Sequence, residues 1–146
     1  MFIQQLSVFL ENNTGTLQAM TELLGKSGID LLALALDDTQ SFGIVRTIIH
    51  SDQMDIALKI LRENGYIAKI NQVICAAVPD RPMGLSELLD LIQKAGLSVE
   101  YMYSFLRASI PGTAHLILRL DDGAKAEQVF DLYNIRMLGQ EEVDAL

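Results

Sequence analysis

The feature of this sequence that most constrains its fold is an internal repeat. Residues 16–32, TLQAMTELLGKSGIDLL, align without a gap with residues 84–100, GLSELLDLIQKAGLSVE. Since self-similarity at a fixed spacing indicates one structural unit built twice, we expect two related domains, residues 1–71 and 72–146. No Pro-, Gly- or Ser-rich linker separates the two, which favours tight coupling. The aligned pairs are Leu17 with Leu85, Met20 with Leu88, Leu23 with Leu91, Leu24 with Ile92 and Gly28 with Gly96.

Both halves contain the same order of predicted elements. In the first half, FIQQLSVFL, IDLLALAL, FGIVRTIIH and YIAKI are typical of strands, and two stretches between them have apolar residues at helical spacing. Gly28 ends the first predicted helix, and Asn64 with Gly65 ends the second. In the second half, VICAAV, LSELLDLIQKAG, VEYMYSFL, TAHLILRL, AKAEQVFDLY and IRML repeat that order. The pattern predicts an α+β fold of two ferredoxin-like βαββαβ domains.

The second strands of the two predicted domains, IDLLALAL and VEYMYSFL, are apolar sheet edges. An apolar edge strand invites pairing with another strand. We therefore expect these two strands to lie side by side. Such pairing would join two antiparallel sheets into one eight-stranded sheet with all four helices on one face.

Charge and composition argue against several classes of partner. The 146 residues carry a net charge of -8, which would repel the nucleic-acid backbone and an anionic membrane surface. No apolar run approaches the roughly 18 residues of a membrane span, and the N-terminus lacks the features of a signal peptide. The single cysteine, Cys75, is expected to be a buried structural residue. We therefore expect a cytoplasmic protein that binds neither nucleic acid nor membranes.

The first predicted strand leads into the first helix through LENNTGTLQAM, which we call the first loop. Asn13 or Thr14 could simply cap the helix. Alternatively, the loop binds a ligand, because a helix N-terminus offers unpaired N–H groups to a carboxylate and Gly15 allows close approach to the backbone. The second loop, VPDRPMGL, places Asp80 opposite Asn12, where its carboxylate could attract an ammonium group.

With these motifs, the chain resembles a tandem pair of ACT domains, small ligand-binding modules found in regulators of amino-acid metabolism. In that family the first strand ends in Asn or Asp, x-Pro-Gly-x-Leu follows, and the helix closes in Gly-Ile-Asn or a similar run. This sequence has N-N-T-G-T-L with S-G-I-D, and D-R-P-M-G-L with A-G-L-S. Thr14 replaces the proline of the first copy. Met83 replaces the glycine of the second, with Gly84 directly after it.

The resemblance implies a free amino acid bound where the loop after a first strand meets the second strand of a neighbouring ACT domain. It also implies a homodimer and a regulatory role, exerted in trans on an enzyme of amino-acid biosynthesis. Because the two loops differ, we expect unlike sites. The implied binding residues are Asn12, Asn13, Thr14, Gly15 and Thr16 with walls from Leu34 and Leu36, and Asp80, Arg81, Pro82, Met83 and Gly84 with walls from Tyr101 and Tyr103. For the four wall residues, ordinary sheet packing is the other interpretation.

No motif in the sequence indicates catalysis, a cofactor or a metal. His50 and His115 occupy unrelated positions in the repeat, without a second histidine at ligand spacing. A phosphate loop, a GxSxG turn and an HExxH helix are missing. Arg46 and Arg119 occupy matching strand positions, where charge pairing is the first interpretation and anion binding the second. We expect a non-enzymatic amino-acid sensor. The alternatives are an interaction subunit without a ligand and a small enzyme on a ferredoxin-like scaffold.

Overall fold

A computed structural model describes residues 1–11, 13–38, 41–107 and 110–146. The chain divides into two compact units, which we call the N-terminal unit (Gln4–Asn71) and the C-terminal unit (Met1–Ile3 with Gln72–Leu146). The elements up to the junction are β1 (Ile3–Glu11), α1 (Thr16–Lys26), β2 (Ala33–Asp38), β3 (Phe42–Ile48), a 3-10 turn (Ser51–Gln53) and α2 (Met54–Glu63). Those that follow are β4 (Ile67–Pro79), α3 (Gly84–Lys94), β5 (Val99–Ser104), β6 (Thr113–Leu120), α4 (Gly123–Leu132), β7 (Arg136–Leu138) and α5 (Gln140–Asp144).

The N-terminal unit is an antiparallel sheet with α1 and α2 on one face. The strand order is β2-β3-β1-β4, with β3 antiparallel to both of its neighbours. Every second residue of the central strand, Leu6, Val8 and Leu10, is buried in one core with Met20 and Leu24 of α1. The apolar residues at every second position of the strand thus pack against those at about every 3.6 positions of the helix, and together they form one core.

In the C-terminal unit, β4 lies between β6 and β7 and is antiparallel to both, and β5 pairs with the other edge of β6. Ile74 and Ala76 of β4 enter a second core with Leu88 and Ile92 of α3 and Phe130 of α4. Both units therefore have the predicted α+β composition with an antiparallel sheet.

The expected eight-stranded sheet is wrong in its strand count and in one pairing. The described residues form seven strands, because residues 67–70 of YIAKI and all of VICAAV belong to the single strand β4, with neither proline nor glycine between them to interrupt it. Among the described residues, β2 pairs with β3 alone and β5 with β6 alone. Their apolar residues serve the cores instead of an edge contact, since Leu34 packs against the first core and Met102 against the second.

The short terminal helix α5 has no counterpart in the predicted elements. It contains one buried apolar residue, Val143, so no helical spacing marks it in the sequence. Its start is held by the Gly139 amide, which donates to Glu142 Oε1 at 3.3 Å. None of the helices in the described part of the chain has the length and apolar character that a membrane span requires.

Candidate ligand-binding site

Helix α1 begins without a side-chain cap. Its N-cap is Gly15, so the interpretation of Asn13 or Thr14 as the cap is wrong. Gly15 has φ 86°, a left-handed conformation that glycine adopts at no steric cost. Gly15 has no side chain that could accept a hydrogen bond from the first-turn amides. The N–H groups of the second and third helical residues, Leu17 and Gln18, have no intrahelical acceptor by helix geometry.

Hydrogen bonds hold the first loop against the end of β1. The Glu11 carbonyl accepts from the Asn13 amide at 2.9 Å and from the Thr16 hydroxyl at 3.0 Å. The same hydroxyl lies 3.0 Å from the Asn13 carbonyl. Asn13 Nδ2 donates to Glu11 Oε2 at 3.2 Å. The Thr16 side chain therefore stands between the start of the helix and the end of the strand.

A cavity of about 370 Å³, which we call the Gly15 cavity, opens beside this loop. It brings together four residues of the predicted site, Asn13, Gly15, Thr16 and Leu36, although Leu36 lies 20 or more positions from the others in sequence. The remaining lining residues, which sequence reasoning missed, are Leu10, Glu11, Leu17, Gln18, Asp38 and Gly43. Every described lining residue belongs to the N-terminal unit.

The floor of the Gly15 cavity is open because residue 43 has no side chain. Gly43 pairs with Leu10 on one side and with Asp38 on the other, so the three form one row across the sheet. A Cβ atom on Gly43 would lie 3.2 Å from Leu36 Cδ1 and 3.9 Å from Leu10 Cβ. A larger residue here would thus occupy the space between the two leucines.

Three residues of the predicted first site do not line this cavity, or cannot be placed. Thr14 is exposed in the turn before α1. Leu34 packs against the core of the N-terminal unit, as ordinary sheet packing predicts. Asn12 lies outside the described residues.

Carboxylates are the charged groups of the described lining. Glu11 and Asp38 contribute to it, and no Lys, Arg or His is among the lining residues that the structure describes. The neighbouring Asp37 forms an ion pair with Arg46. The matching arginine of the repeat, Arg119, donates to the Gln72 carbonyl at 2.8 Å and lies 3.6 Å from the Glu100 carboxylate. Charge pairing, the first interpretation of the two arginines, is confirmed.

The second loop does not repeat the geometry of the first. Helix α3 begins at Gly84, and its N-cap is Met83, which has the left-handed φ of 74° despite its side chain. A Cβ atom on Gly84 would lie 2.1 Å from the Pro79 carbonyl oxygen. Helix and strand therefore meet backbone to backbone, an approach that only glycine permits. At the equivalent place in the first loop, the Thr16 hydroxyl separates them.

The side chains of the second loop are distributed over different cavities. The Asp80 amide donates to the Gly112 carbonyl at 2.9 Å, and Asp80 lines a cavity of about 170 Å³ that includes Arg107 and His115. Arg81 pairs with Glu87 at 3.0 Å and, with Met83, borders a separate depression on α3. Exposed Pro82 accepts from Arg81 Nη1 at 3.0 Å.

The two tyrosines proposed as walls do not line either of these second-loop cavities. Tyr101 and Tyr103 alternate along β5 with Met102, which packs into the core of the C-terminal unit. Because neighbouring residues of a strand point to opposite faces, both tyrosines lie on the sheet face away from α3 and α4. The structure therefore does not bring them together with Asp80.

Two titratable groups of the C-terminal unit are perturbed by burial. Burial, followed by the negative charge of Glu142, raises the pKa of the Cys75 thiol to about 12, so this thiol stays protonated and unreactive. Burial, and then the Arg136 guanidinium, lower the pKa of His115, whose ring packs edge-on against Phe105 at 6.1 Å. The described residues contain no group of three or more His, Cys, Asp or Glu placed to hold a metal ion.

Residues 1–146 match the model of a protein family described as an ACT domain pair. This chain belongs to that family. The ACT domain pair is similar along its full length to a protein from Bacteroides thetaiotaomicron of known crystal structure, with 32% identity and a TM-score of 0.87 over 100% of this chain and 98% of that one. No curated protein matches the sequence significantly.

Two more distant structures share the fold of this ACT domain pair. The regulatory subunit of aspartate kinase from Thermus thermophilus, in its ligand-free form, is 14% identical with a TM-score of 0.66, over 90% of each chain. The corresponding subunit from Thermus flavus is 12% identical with a TM-score of 0.60, over 88% of this chain and 90% of that one.

Proposed function

We propose that this ACT domain pair is a non-catalytic regulatory protein that binds a free amino acid in the Gly15 cavity. The observation that carries the proposal is a cavity that opens at an uncapped helix start. Its volume of about 370 Å³ falls within the range of roughly 300–1,000 Å³ typical of small-molecule sites.

The lining offers a partner to each part of an amino acid. The amides of Leu17 and Gln18, together with the positive end of the α1 dipole, favour the α-carboxylate. Asn13 and the Glu11 carboxylate supply acceptors for the α-ammonium group. The leucines of the lining provide an apolar surface for the side chain, and the absence of a side chain at Gly43 leaves room for it.

The regulatory role follows from linkage between ligand and conformation. An amino acid that binds one state of the protein more tightly than another shifts the population toward that state, and a partner that senses the state responds. We propose a catalytic subunit of amino-acid metabolism as this partner and a homodimer as the assembly. The fold shared with aspartate kinase regulatory subunits supports a partner of this kind.

A second, unlike site at Asp80 also belongs to the proposal. Its cavity of about 170 Å³ is smaller than the first and contains both charge signs, with Asp80 and Arg107 in its lining. This combination suits a small zwitterion. We therefore expect weaker binding at this site, because the enclosed surface is smaller.

Thermal unfolding in the presence of each of the twenty amino acids tests the proposal. A ligand at about 100 times its Kd stabilises the folded state by about 2.7 kcal/mol, which corresponds to a rise in Tm of about 5–10 °C for a chain of this size. Gly43→Val should abolish the rise, because its side chain enters the space between Leu10 and Leu36. Gly25→Ala is the matched control, since a Cβ there meets no atom within 4 Å and Gly25 lies outside the lining.

Three outcomes would contradict the proposal. A Tm that no amino acid raises would favour an interaction subunit without a small-molecule ligand. A rise that persists unchanged in folded Gly43→Val would place the ligand elsewhere. Turnover of a metabolite by the purified protein would instead favour the enzyme alternative.

A further inference from the structure

We propose that the Gly15 cavity selects amino acids with a positively charged side chain, and that Asp38 is the residue that makes the selection. This inference rests on the amino-acid site proposed above and adds the chemical class of its ligand.

The position of Asp38 follows from the register of three strands. Asp38 is the last residue of β2 and pairs with Gly43, which pairs in turn with Leu10 of β1. Two strand spacings, about 10 Å, therefore separate Asp38 from Leu10, and the residue between them has no side chain. Since Leu10 precedes Glu11, whose carbonyl accepts from Thr16, the Leu10 end of the row lies beside the start of α1.

This geometry orients a bound amino acid. With its α-carboxylate at the start of α1, its side chain extends across Gly43 and along Leu36 toward β2. Asp38 is the charged group at that end of the lining. An unbranched side chain that ends in a cation would thus meet apolar surface along its methylene groups and a carboxylate at its tip.

The Asp38 carboxylate is not neutralised by the described part of the chain. No described side chain forms a hydrogen bond or an ion pair with it, whereas Asp37, on the opposite face of β2, pairs with Arg46. Glu11 adds a second negative charge to the lining, and no described lining residue is basic. A cation at the tip of the ligand would therefore be attracted, and a third carboxylate would be repelled.

Three unbranched amino acids that differ at the tip of the side chain test this inference by titration calorimetry at low ionic strength. L-Lysine ends in an ammonium group, L-norleucine in a methyl group and L-2-aminoadipate in a carboxylate. We expect lysine to bind about two- to fivefold more tightly than norleucine, the range of a solvent-exposed ion pair, and aminoadipate to bind most weakly. Added salt should reduce the difference between lysine and norleucine.

Asp38→Asn should remove the preference for lysine over norleucine, because the amide keeps the size of the side chain and loses its charge. Asp37→Asn is the matched control. It removes one negative charge from the adjacent residue but on the other face of the strand, so the preference should remain.

The inference is overturned if wild-type protein binds norleucine as tightly as lysine, or if Asp38→Asn retains the preference. Either result leaves the proposed amino-acid site intact. If neither these three ligands nor any of the twenty amino acids binds, the proposed function fails together with the inference.

Discussion

The contact between α3 and the end of β4 allows a quantitative prediction for Gly84→Ala. The added Cβ would lie 2.1 Å from the Pro79 carbonyl oxygen, so the two atoms must separate by about 1.3 Å more to reach ordinary van der Waals distance. Both atoms belong to backbone segments that are fixed in a helix and a strand, and neither can move aside by a rotamer change. Overpacking of this kind costs about 1–3 kcal/mol or more.

The gain in helix propensity offsets part of this cost. Alanine is favoured over glycine by up to about 1 kcal/mol inside a helix, but less at the first helical position. We therefore expect Gly84→Ala to lower the free energy of unfolding by about 2 kcal/mol, and the Tm by about 4–8 °C. Urea unfolding followed by far-UV circular dichroism measures the change. A variant that fails to fold agrees with the reasoning.

Gly25→Ala of α1 is the control for this experiment. A Cβ on Gly25 would meet no atom within 4 Å, so the same substitution should leave stability unchanged or raise it by up to about 1 kcal/mol. If Gly84→Ala unfolds at the wild-type urea concentration or above it, the close approach of helix and strand is incorrect. The explanation of the difference between the two loops would then fail with it.

Three further changes have predictable directions. Met83→Gly should raise the free energy of unfolding in urea by about 0.5–1 kcal/mol. Glycine removes the left-handed strain at φ 74°, and this gain is larger than the loss that comes from the added chain entropy of the unfolded state. Asp122→Ala should lower the free energy of unfolding by about 1 kcal/mol in the same assay, since Asp122 Oδ1 caps α4 by accepting from the Lys125 amide at 3.0 Å. Asp122→Asn should retain most of the wild-type stability, because its amide oxygen can accept the same hydrogen bond. Burial lowers the pKa of His115, so its contribution to stability is complete above the ordinary value of 6.5 and is lost as pH falls below it. His115→Gln should therefore lose less stability than wild type when unfolding is compared between about pH 8 and pH 5.

The helices and the order of elements could be predicted from the sequence because their signals are local. Apolar spacing marks α1 and α3, and the glycines after them, Gly28 and Gly96, adopt the left-handed conformation expected after a helix end. The strand count could not be predicted in the same way. The absence of proline and glycine between YIAKI and VICAAV permits one strand but does not require it. Whether two neighbouring strand patterns form one strand or two also depends on their pairing with strands that are distant in sequence.

Three lining residues of the candidate site, Asn13, Gly15 and Thr16, could be predicted from the first loop, because they are close together in the sequence. The lining residues on β2 and β3 depend on register. Gly43 and Asp38 reach the cavity because the β2–β3 hairpin pairs them in one row with Leu10, and a shift of one residue would point Asp38 to the other face. Tyr101 and Tyr103 illustrate the same dependence, since their alternation with Met102 decides which face they occupy.

The continuity of β4 limits which insertions this ACT domain pair can tolerate within the strand. Its even-numbered residues serve two cores in succession: Ala68 and Ile70 pack in the first, and Ile74, Ala76 and Val78 in the second. One inserted residue between them would reverse the alternation of the residues that follow and turn Ile74, Ala76 and Val78 to the opposite face of the sheet, away from α3 and α4. Two inserted residues would preserve parity. Within β4, only insertions or deletions of an even number of residues are therefore compatible with both cores. A flexible connector of arbitrary length could not replace this segment.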